Sequence, residues 1–433
     1  MKFLYDILTI ILVVAAIPVF IFRLFREKGF GERLRQSFGF LPHGAVAPVA
    51  GKNCLWLHAA SVGEIVATSP IVKEIRRQMP EMPVLVSVVT ANGYEMAQRI
   101  IPEADSIIFF PLDLPGLSRR VINRIKPTMF VLVETELWPN FLLSCRDLSI
   151  PVMMVNGRIS DKSVGNYRYL FTILDRMLDT VHRFCMQSTI DAQYIIRLGA
   201  KPRRVFVTGN TKYDQTHTEV SAAERERLAS LLKLRGGAPV VVAGSTHRGE
   251  EEFVLAAFNK VRENIAEARL IIAPRDNLRG GEVASLAEKY GLKAVRRTDL
   301  DKADGSHDVI VLDTIGELGK IYSIADVVFV GGSLVATGGH NILEPAAHGK
   351  PILVGPHMFN FKDSYALFSG QGACDTVYDS ADLGDKFVCL LSDAHVRAAM
   401  GEKALAIIRE NQGAAVRSVQ HISEVLATLS QRS

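Results

Sequence analysis

A long series of short apolar runs, each followed by a stretch with helical spacing, constrains this chain more than any other feature of its sequence. In the first half the runs are CLWLHA (54–59), VLVSVV (84–89), SIIFFP (106–111), MFVLVE (129–134), PVMMVN (151–156), RFCMQ (183–187) and RVFVTGN (204–210). In the second they are APVVVAGS (238–245), RLIIAPR (269–275), LKAVRR (292–297), HDVIVLDT (307–314), ADVVFVGG (325–332) and KPILVGP (350–356). Continuous rather than alternating apolar runs suit parallel strands buried on both faces. Between the first two, EIVATSPIVKEIRRQM (64–79) sets Ile65, Ile71, Val72, Ile75 and Met79 near helical spacing. A polar stretch, SAAERERLASLLKLRGG (221–237), interrupts the series and marks a linker near 212–237. The expected fold class is α/β: two doubly wound, Rossmann-like domains facing across a cleft, behind an N-terminal membrane-anchor helix. The expected boundaries are 1–28 for the anchor and its basic collar, 29–220 for the first domain and 221–433 for the second, whose last helix is free to pack back on the first.

The N-terminal segment carries its own information. From Ile7 to Phe22 the only polar side chain is Thr9. Sixteen helical residues cover ~24 Å, short of a ~30 Å hydrocarbon core, and extension toward Phe3 brings in Asp6. Spanning and lying partly embedded are both open. Lys2, Arg23, Arg26, Lys28, Arg33 and Arg35 face only Asp6, Glu27 and Glu32 here, so most of the chain's net charge of +4 sits beside the apolar run. A signal peptide carries its positive charge before the apolar run, whereas this cluster follows it. The positive-inside rule then keeps the body of the chain cytoplasmic, on the inner membrane, behind an uncleaved anchor. A buried helix of a soluble domain is the alternative. Nucleic acid is not an expected partner, because the basic residues are gathered at one end rather than spread over a face. The cysteines Cys54, Cys145, Cys185, Cys374 and Cys389 are odd in number, scattered and without a CxxC pair, which fits a reducing cytoplasm and signals neither a disulfide framework nor zinc.

Ligands of such sheets gather beyond the carboxyl ends of the strands, and the polar motifs of this chain fall there. His58-Ala-Ala-Ser61-Val-Gly63-Glu64 joins the first strand to the first helix. Ser61 and Glu64 have capping-box spacing, yet a carboxylate kept ionised by the helix dipole can also act as a general base. Glu134-Thr-Glu136-Leu-Trp138-Pro-Asn140 follows the fourth run, and its two carboxylates share one side of an extended backbone, a poor choice for stability alone and a useful one for holding a sugar hydroxyl. A solvated loop is the other reading. Arg158 and Lys212, after later runs, supply cations suited to an anionic sugar or phosphate.

In the second half, Gly244-Ser245-Thr246-His247 leads into a helix whose N–H groups can meet a phosphate, and Pro274-Arg275 ends the next run with a bidentate donor. Gly331-Gly332-Ser333 and Gly338-Gly339-His340-Asn341-Ile342-Leu343-Glu344 permit close approach of backbone to ligand, with Glu344 able to accept ribose hydroxyls. No G-x-G-x-x-G follows a run, and Gly349-Lys350 is followed by Pro351, so neither a dinucleotide fingerprint nor a Walker loop is present. Asp299-Leu300-Asp301 lies in a polar loop without further ligands, so no metal and no cofactor are expected.

Taken together, HAASVGE (58–64), ETELWPN (134–140), NGRIS (156–160), GNTKYD (209–214), GSTHRGEE (244–251), APRD (273–276) and GGHNILEP (338–345) resemble the Kdo transferases. These membrane-associated enzymes move 3-deoxy-D-manno-octulosonic acid from CMP-Kdo to lipid A precursors in Gram-negative bacteria, and are similar in fold to GT-B glycosyltransferases. The resemblance implies an acceptor domain first and a nucleotide-sugar domain second. It implies Glu64 as proton acceptor and Glu134 and Lys212 as transition-state-stabilising residues. CMP contacts would fall on Pro274, Arg275, Ile315, Gly316, Glu317, Asn341, Ile342, Leu343 and Glu344. Ser61, Gly63, Glu136, Arg158, Ser245 and His247 are additional candidate substrate contacts. Expected partners are CMP-Kdo, the lipid A precursor lipid IVA and the cytoplasmic leaflet of the inner membrane. A GT-B transferase using a UDP-sugar and a lipid acceptor, and a non-catalytic membrane-tethered nucleotide-binding scaffold, are the competing readings.

Overall fold

The computed structural model describes residues 2–27, 29–159, 171–216, 220–234 and 237–430. Lys28 of the basic cluster, Ser160 of the NGRIS segment, and residues 217–219 and 235–236 of the expected linker lie outside the described residues. The chain divides into two compact units, residues 1–215 with 411–433, and residues 216–410.

The first unit is built on a parallel sheet of strands β1 (Leu55–His58), β2 (Val84–Val88), β3 (Ser106–Phe109), β4 (Met129–Val133), β5 (Val152–Gly157), β6 (Val181–Met186) and β7 (Val205–Val207). Their order is β3-β2-β1-β4-β5-β6-β7. Every residue of β1, β2, β4 and β5 is buried, which is why these runs show no polar alternation. Successive side chains point to opposite faces: Trp56, Leu85, Phe130, Leu132 and Met154 form one cluster, and Leu55, Leu57, Val84, Val86, Val131 and Val133 the other. Trp56 packs edge-on against Phe130 and Phe141, with ring centroids 5.5 and 5.1 Å apart, and its indole N–H donates to Ser87 Oγ at 2.8 Å. The C-terminal helix Ala414–Ser430 completes the second face with Ala415, Val419, Ile422 and Val425.

The second unit repeats the plan with β8 (Val240–Thr246), β9 (Arg269–Pro274), β10 (Ala294–Arg296), β11 (Val309–Val311), β12 (Val327–Val330), β13 (Ile352–Val354) and β14 (Cys374–Thr376), all parallel, in the order β10-β11-β9-β8-β12-β13-β14. β14 escapes a hydropathy reading because it is only three residues long, Cys374-Asp375-Thr376, and two of them are polar. In the first sheet the chain builds outward from β1 on one side, then crosses to β4 on the other. The loops after β1 and β4 therefore flank the point where connection direction reverses, the place where a crevice opens at the carboxyl edge. In the second sheet the loops after β8 and β12 hold the same position. These four loops carry most of the motifs singled out above.

Candidate active site

The helix Val62–Gln78 begins at Ser61, whose Oγ accepts the Glu64 N–H at 3.3 Å. Glu64 reaches back: Oε2 accepts the Ala60 N–H at 2.6 Å and Oε1 accepts the Ser61 hydroxyl at 2.9 Å. The capping box is thus formed, and the same contacts fix the carboxylate. Its charge state departs from the expectation. Burial first, then the charges of Glu136 and Glu134, raise the Glu64 pKa to about 7, against the opposing pull of the Ala60 and Ser61 hydrogen bonds. A helix N-terminus alone would keep Glu64 fully ionised. Here burial and two like charges outweigh it, and near neutral pH the group is about half ionised.

Glu134 follows β4 with φ +60°, a left-handed conformation uncommon for a residue with a Cβ. That turn aims its carboxylate at Lys212, whose Nζ donates to Oε1 at 3.0 Å, and Asn156 Nδ2 donates to the same oxygen at 3.4 Å. Asn156 is fully buried, also has positive φ (+52°), and its Oδ1 accepts the Thr211 N–H at 3.0 Å. Lys212 N–H in turn donates to Asn210 Oδ1 at 3.0 Å. Asn156 thereby ties the loop after β7 to the loop after β4, and Asn210 braces Lys212 within its own loop. A Cβ added to Gly63 would lie 3.9 Å from Lys212 Nζ, so the ammonium also stands beside the first turn carrying Glu64. The structure therefore brings Ser61, Gly63, Glu64, Glu134, Glu136 and Lys212 together. Arg158 lies exposed after β5, where its carbonyl accepts the Thr135 hydroxyl.

Behind this cluster His58 is fully buried and held neutral, its pKa lowered to about 3 by burial. Its Nε2 meets the Trp138 indole N–H at 3.2 Å and must accept, so the proton sits on Nδ1, beside Ser87 Oγ at 3.0 Å. Trp138 also hydrogen-bonds Glu136, whose pKa burial and Glu134 raise. Asn156 and His58 were not among the expected site residues. Asn tolerates left-handed backbone, which is a usable signal at a strand end, but the partner its amide reaches cannot be read from spacing. After burial, Glu136 makes the next largest contribution to the acid limb of any reaction that needs ionised Glu64. Glu136→Gln is expected to move the midpoint of a kcat/KM pH profile below the wild-type value near 7, because one repelling charge is gone. A midpoint that stays in place or rises would contradict this assignment. The raised Glu64 pKa also makes folding less favourable as pH rises from 4.5 through about 7, since the folded state holds the proton more tightly there.

In the second unit, the glycine-rich loop after β12 departs from the expected role. The amides of Gly332, Ser333 and Leu334 do not point at an open site. They donate to the carboxylate of Glu250 at 2.7, 3.0 and 3.0 Å, and the His247 N–H joins them at 3.0 Å. Glu250 is fully buried, and a Cβ on Gly331 would come within 2.7 Å of the Ser245 carbonyl and 2.9 Å of Glu250 Oε2, so glycine is required there. A carboxylate supplied by the chain thus fills the nest where GSTH was expected to meet a phosphate and GGS to let a ligand approach the backbone. Ser245, at φ +58°, makes the bend that allows this.

The groups left to meet a ligand are side chains. His247 and His340 approach Nε2 to Nε2 at 2.8 Å with rings nearly parallel, so one of the two nitrogens carries the proton. Burial, then the charges of Arg275 and His247, lower the His340 pKa to about 4. Arg275 is exposed and close enough to Glu344 to lower its pKa, against a larger upward push from burial. Asn341 Nδ2 donates to Glu344 Oε1 at 3.1 Å, while Asn341 Oδ1 caps the Leu343 N–H. Gly319 lies beside Glu344, where an added Cβ would make only ordinary contact with Oε2 at 3.6 Å. Ile342 and Leu343 are buried, at 0% and 3% exposure, and Pro274 is buried too, so the side chains of these three are closed to a ligand. Ile315 is 72% exposed beside Gly316 (φ +89°), and Arg297 and the Thr314 hydroxyl hold Glu317. Ile315, Gly316 and Glu317, with Arg227, Leu228 and Leu231, line an open groove of about 700 Å³.

Comparison with known proteins places this geometry in context. A family profile described as 3-Deoxy-D-manno-octulosonic-acid transferase (kdotransferase) matches residues 32–215. The 3-deoxy-D-manno-octulosonic acid transferase of Haemophilus influenzae is 31% identical over 394 residues, covering 90% of this chain and 91% of that protein. That of Bordetella pertussis is 31% identical over 417 residues, covering 94% and 96%. Among solved structures, Anabaena Alr3699/HepE in complex with UDP is similar in fold, with a TM-score of 0.54 at 14% identity over 87% of this chain and 100% of that one. The two parallel sheets are GT-B-like. An overlap of this extent with full-length relatives, reaching from the Glu64 helix to the Glu344 loop, establishes that the chain belongs to the 3-deoxy-D-manno-octulosonic acid transferase family, and is a glycosyltransferase.

Proposed function

We propose that this chain transfers Kdo from CMP-Kdo to the lipid A precursor lipid IVA in lipopolysaccharide core biosynthesis, by a single inverting displacement with Glu64 as general base, on the cytoplasmic side of the inner membrane. The observation that carries the proposal is the buried Glu64, with a pKa near 7, beside the Glu134–Lys212 ion pair. A base works best when its pKa lies close to the working pH. Glu64 takes the proton of the acceptor hydroxyl as that oxygen bonds to the anomeric carbon of Kdo. The bond from that carbon to the phosphate oxygen breaks, and its electron pair leaves with CMP. Lys212, fixed by Glu134 and Asn210, offers positive charge to the Kdo carboxylate and to the charge shifting toward the leaving group.

The nucleotide reading rests on the second unit. Arg275 and the protonated nitrogen of the His247–His340 pair suit a single phosphate, and Glu344, oriented by Asn341, suits ribose hydroxyls. One phosphate brings less charge than a diphosphate, so side chains can stabilise its departure without a bridging metal. The test is a reaction of the purified protein with CMP-Kdo and lipid IVA in EDTA, with the product mass read by mass spectrometry. A gain of Kdo mass with CMP-Kdo, and none with UDP-sugars, is the expected result. Sugar transfer from a UDP-sugar, or CMP binding without transfer, would overturn the reading in favour of a different transferase or a scaffold.

A further inference from the structure

The helix Ala222–Leu231 has no buried residue, so the core of the second unit does not hold it in place. Local contacts fix it instead. Ser221 Oγ accepts the Glu224 N–H at 3.1 Å, Lys320 Nζ donates to Glu224 Oε1 at 2.7 Å from the short helix Leu318–Ile321, and Leu232 is buried just past the helix end. Glu224, Arg227, Leu228 and Leu231, at positions i, i+3, i+4 and i+7, share one face of the helix. Together with Ile315 and Gly316, after β11, they line the groove of about 700 Å³. Lys320 lines it too, and its neighbour Gly319 stands beside Glu344, so the groove opens next to the carboxylate suited to ribose hydroxyls.

The groove combines apolar side chains with a polar edge. Leu231 and Ile315 are 41% and 72% exposed, and a Cβ added to Gly316 would meet nothing within 4 Å. Such surfaces suit the faces of a flat ring. Most of the charges nearby are already matched: Lys320 pairs with Glu224, and Glu317 is held by Arg297 at 3.2 Å and by the Thr314 hydroxyl. Two groups remain for a ligand. Among the described residues, Glu224 Oε2 has no donor, because Lys320 meets only Oε1, and the Arg227 guanidinium has no ion-pair partner.

A carboxylate oxygen and a guanidinium fork, three residues apart on one helix face, present an acceptor followed by two parallel donors. The pairing edge of cytosine is the complement: an exocyclic amine that donates, then ring N3 and O2 that accept. Uracil reverses the first two positions, turning O4 toward the carboxylate and N3–H toward the guanidinium. We propose that Glu224 and Arg227 read the base of the donor nucleotide and select cytosine over uracil. The inference rests on the CMP-Kdo reading above. It supplies what Arg275 and Glu344 cannot, since CMP and UMP carry the same phosphate and the same ribose.

Titration calorimetry of the detergent-solubilised full chain with CMP and with UMP tests this. The wild type is expected to bind CMP at least about 10-fold more tightly. Arg227→Lys keeps the charge and loses the fork, and should weaken CMP by about 10- to 100-fold with little change for UMP. Glu224→Ala should narrow the CMP-to-UMP ratio from the other side, weakening CMP and relieving the repulsion of uracil O4. A merely structural role for either residue would weaken both nucleotides alike. A ratio that either substitution leaves unchanged, or equal binding of the two nucleotides by the wild type, would overturn this inference alone. Absence of CMP binding to the wild type would overturn the donor reading, and this inference with it.

Discussion

Glu64→Gln is expected to lower kcat for sugar transfer by about 10²- to 10⁴-fold, the usual contribution of a positioned general base, while leaving CMP affinity unchanged. Gln keeps the size of the side chain, and its amide oxygen can still accept the Ala60 N–H or the Ser61 hydroxyl, so the capping contacts at the helix start are largely retained. What disappears is proton affinity. The residual rate should lose the acid limb with a midpoint near 7, because no group with that pKa remains to be ionised. Single-turnover measurement with CMP-Kdo separates this from a slow release step. Unchanged turnover would remove Glu64 from the reaction, and the raised pKa would then report burial alone.

The second large effect lies in the nucleotide half of the chain and concerns stability. Glu250→Ala strips four backbone N–H groups of the acceptor they share, those of Gly332 and Ser333 in buried positions and those of His247 and Leu334 in partly buried ones. Each unsatisfied buried donor costs about 1–3 kcal/mol, and these costs are not additive, so a loss of about 4 kcal/mol or more is expected in denaturant unfolding. Glu250→Gln should not rescue it, since half the carboxylate becomes a donor facing donors. Among the described residues, Glu250 is the acceptor of the Gly332, Ser333 and Leu334 N–H groups, and CMP affinity should fall with the loop. An Ala variant that unfolds at the wild-type midpoint would mean that the loop is held by something other than this carboxylate.

These two residues also show how far the sequence could be read. Glu64 and its capping partner stand three apart before an apolar helix, so their place at a strand–helix junction was legible from spacing alone. Its charge was not, because Glu136 and Glu134 arrive from β4, some seventy residues later, and only the parallel pairing of β1 with β4 puts them beside it. Glu250 is one of two acids in GSTHRGEE, with nothing in the spacing to set it apart. Its partners come from the loop after β12, which β8 meets by pairing with β12 across the switch point. The strands themselves were legible where both faces are buried, as in Met129–Val133, and illegible where the run is brief and polar, as in Cys374–Thr376. Glycine motifs announced close approach correctly, but the group approached at Gly331 is the chain's own carboxylate. Hydropathy recognised the apolar N-terminal helix, which runs from Lys2 to Arg26.

Neutral His58 illustrates the same division. Its burial follows from its place at the end of a central strand, yet the acceptor role of Nε2 depends on the Trp138 indole reaching it from the loop after β4. The polar side chains of the first unit are therefore held by strand pairings distant in sequence. One base, one cation and one restraining carboxylate result, and a single displacement asks for no more.

The most direct measurement is the anomeric configuration of the transferred Kdo, read by nuclear magnetic resonance on the product formed from CMP-Kdo. A single displacement assisted by Glu64 predicts a configuration opposite to that of the donor. Retention of the donor's configuration would require two displacements and a nucleophile the account does not contain, and would contradict it.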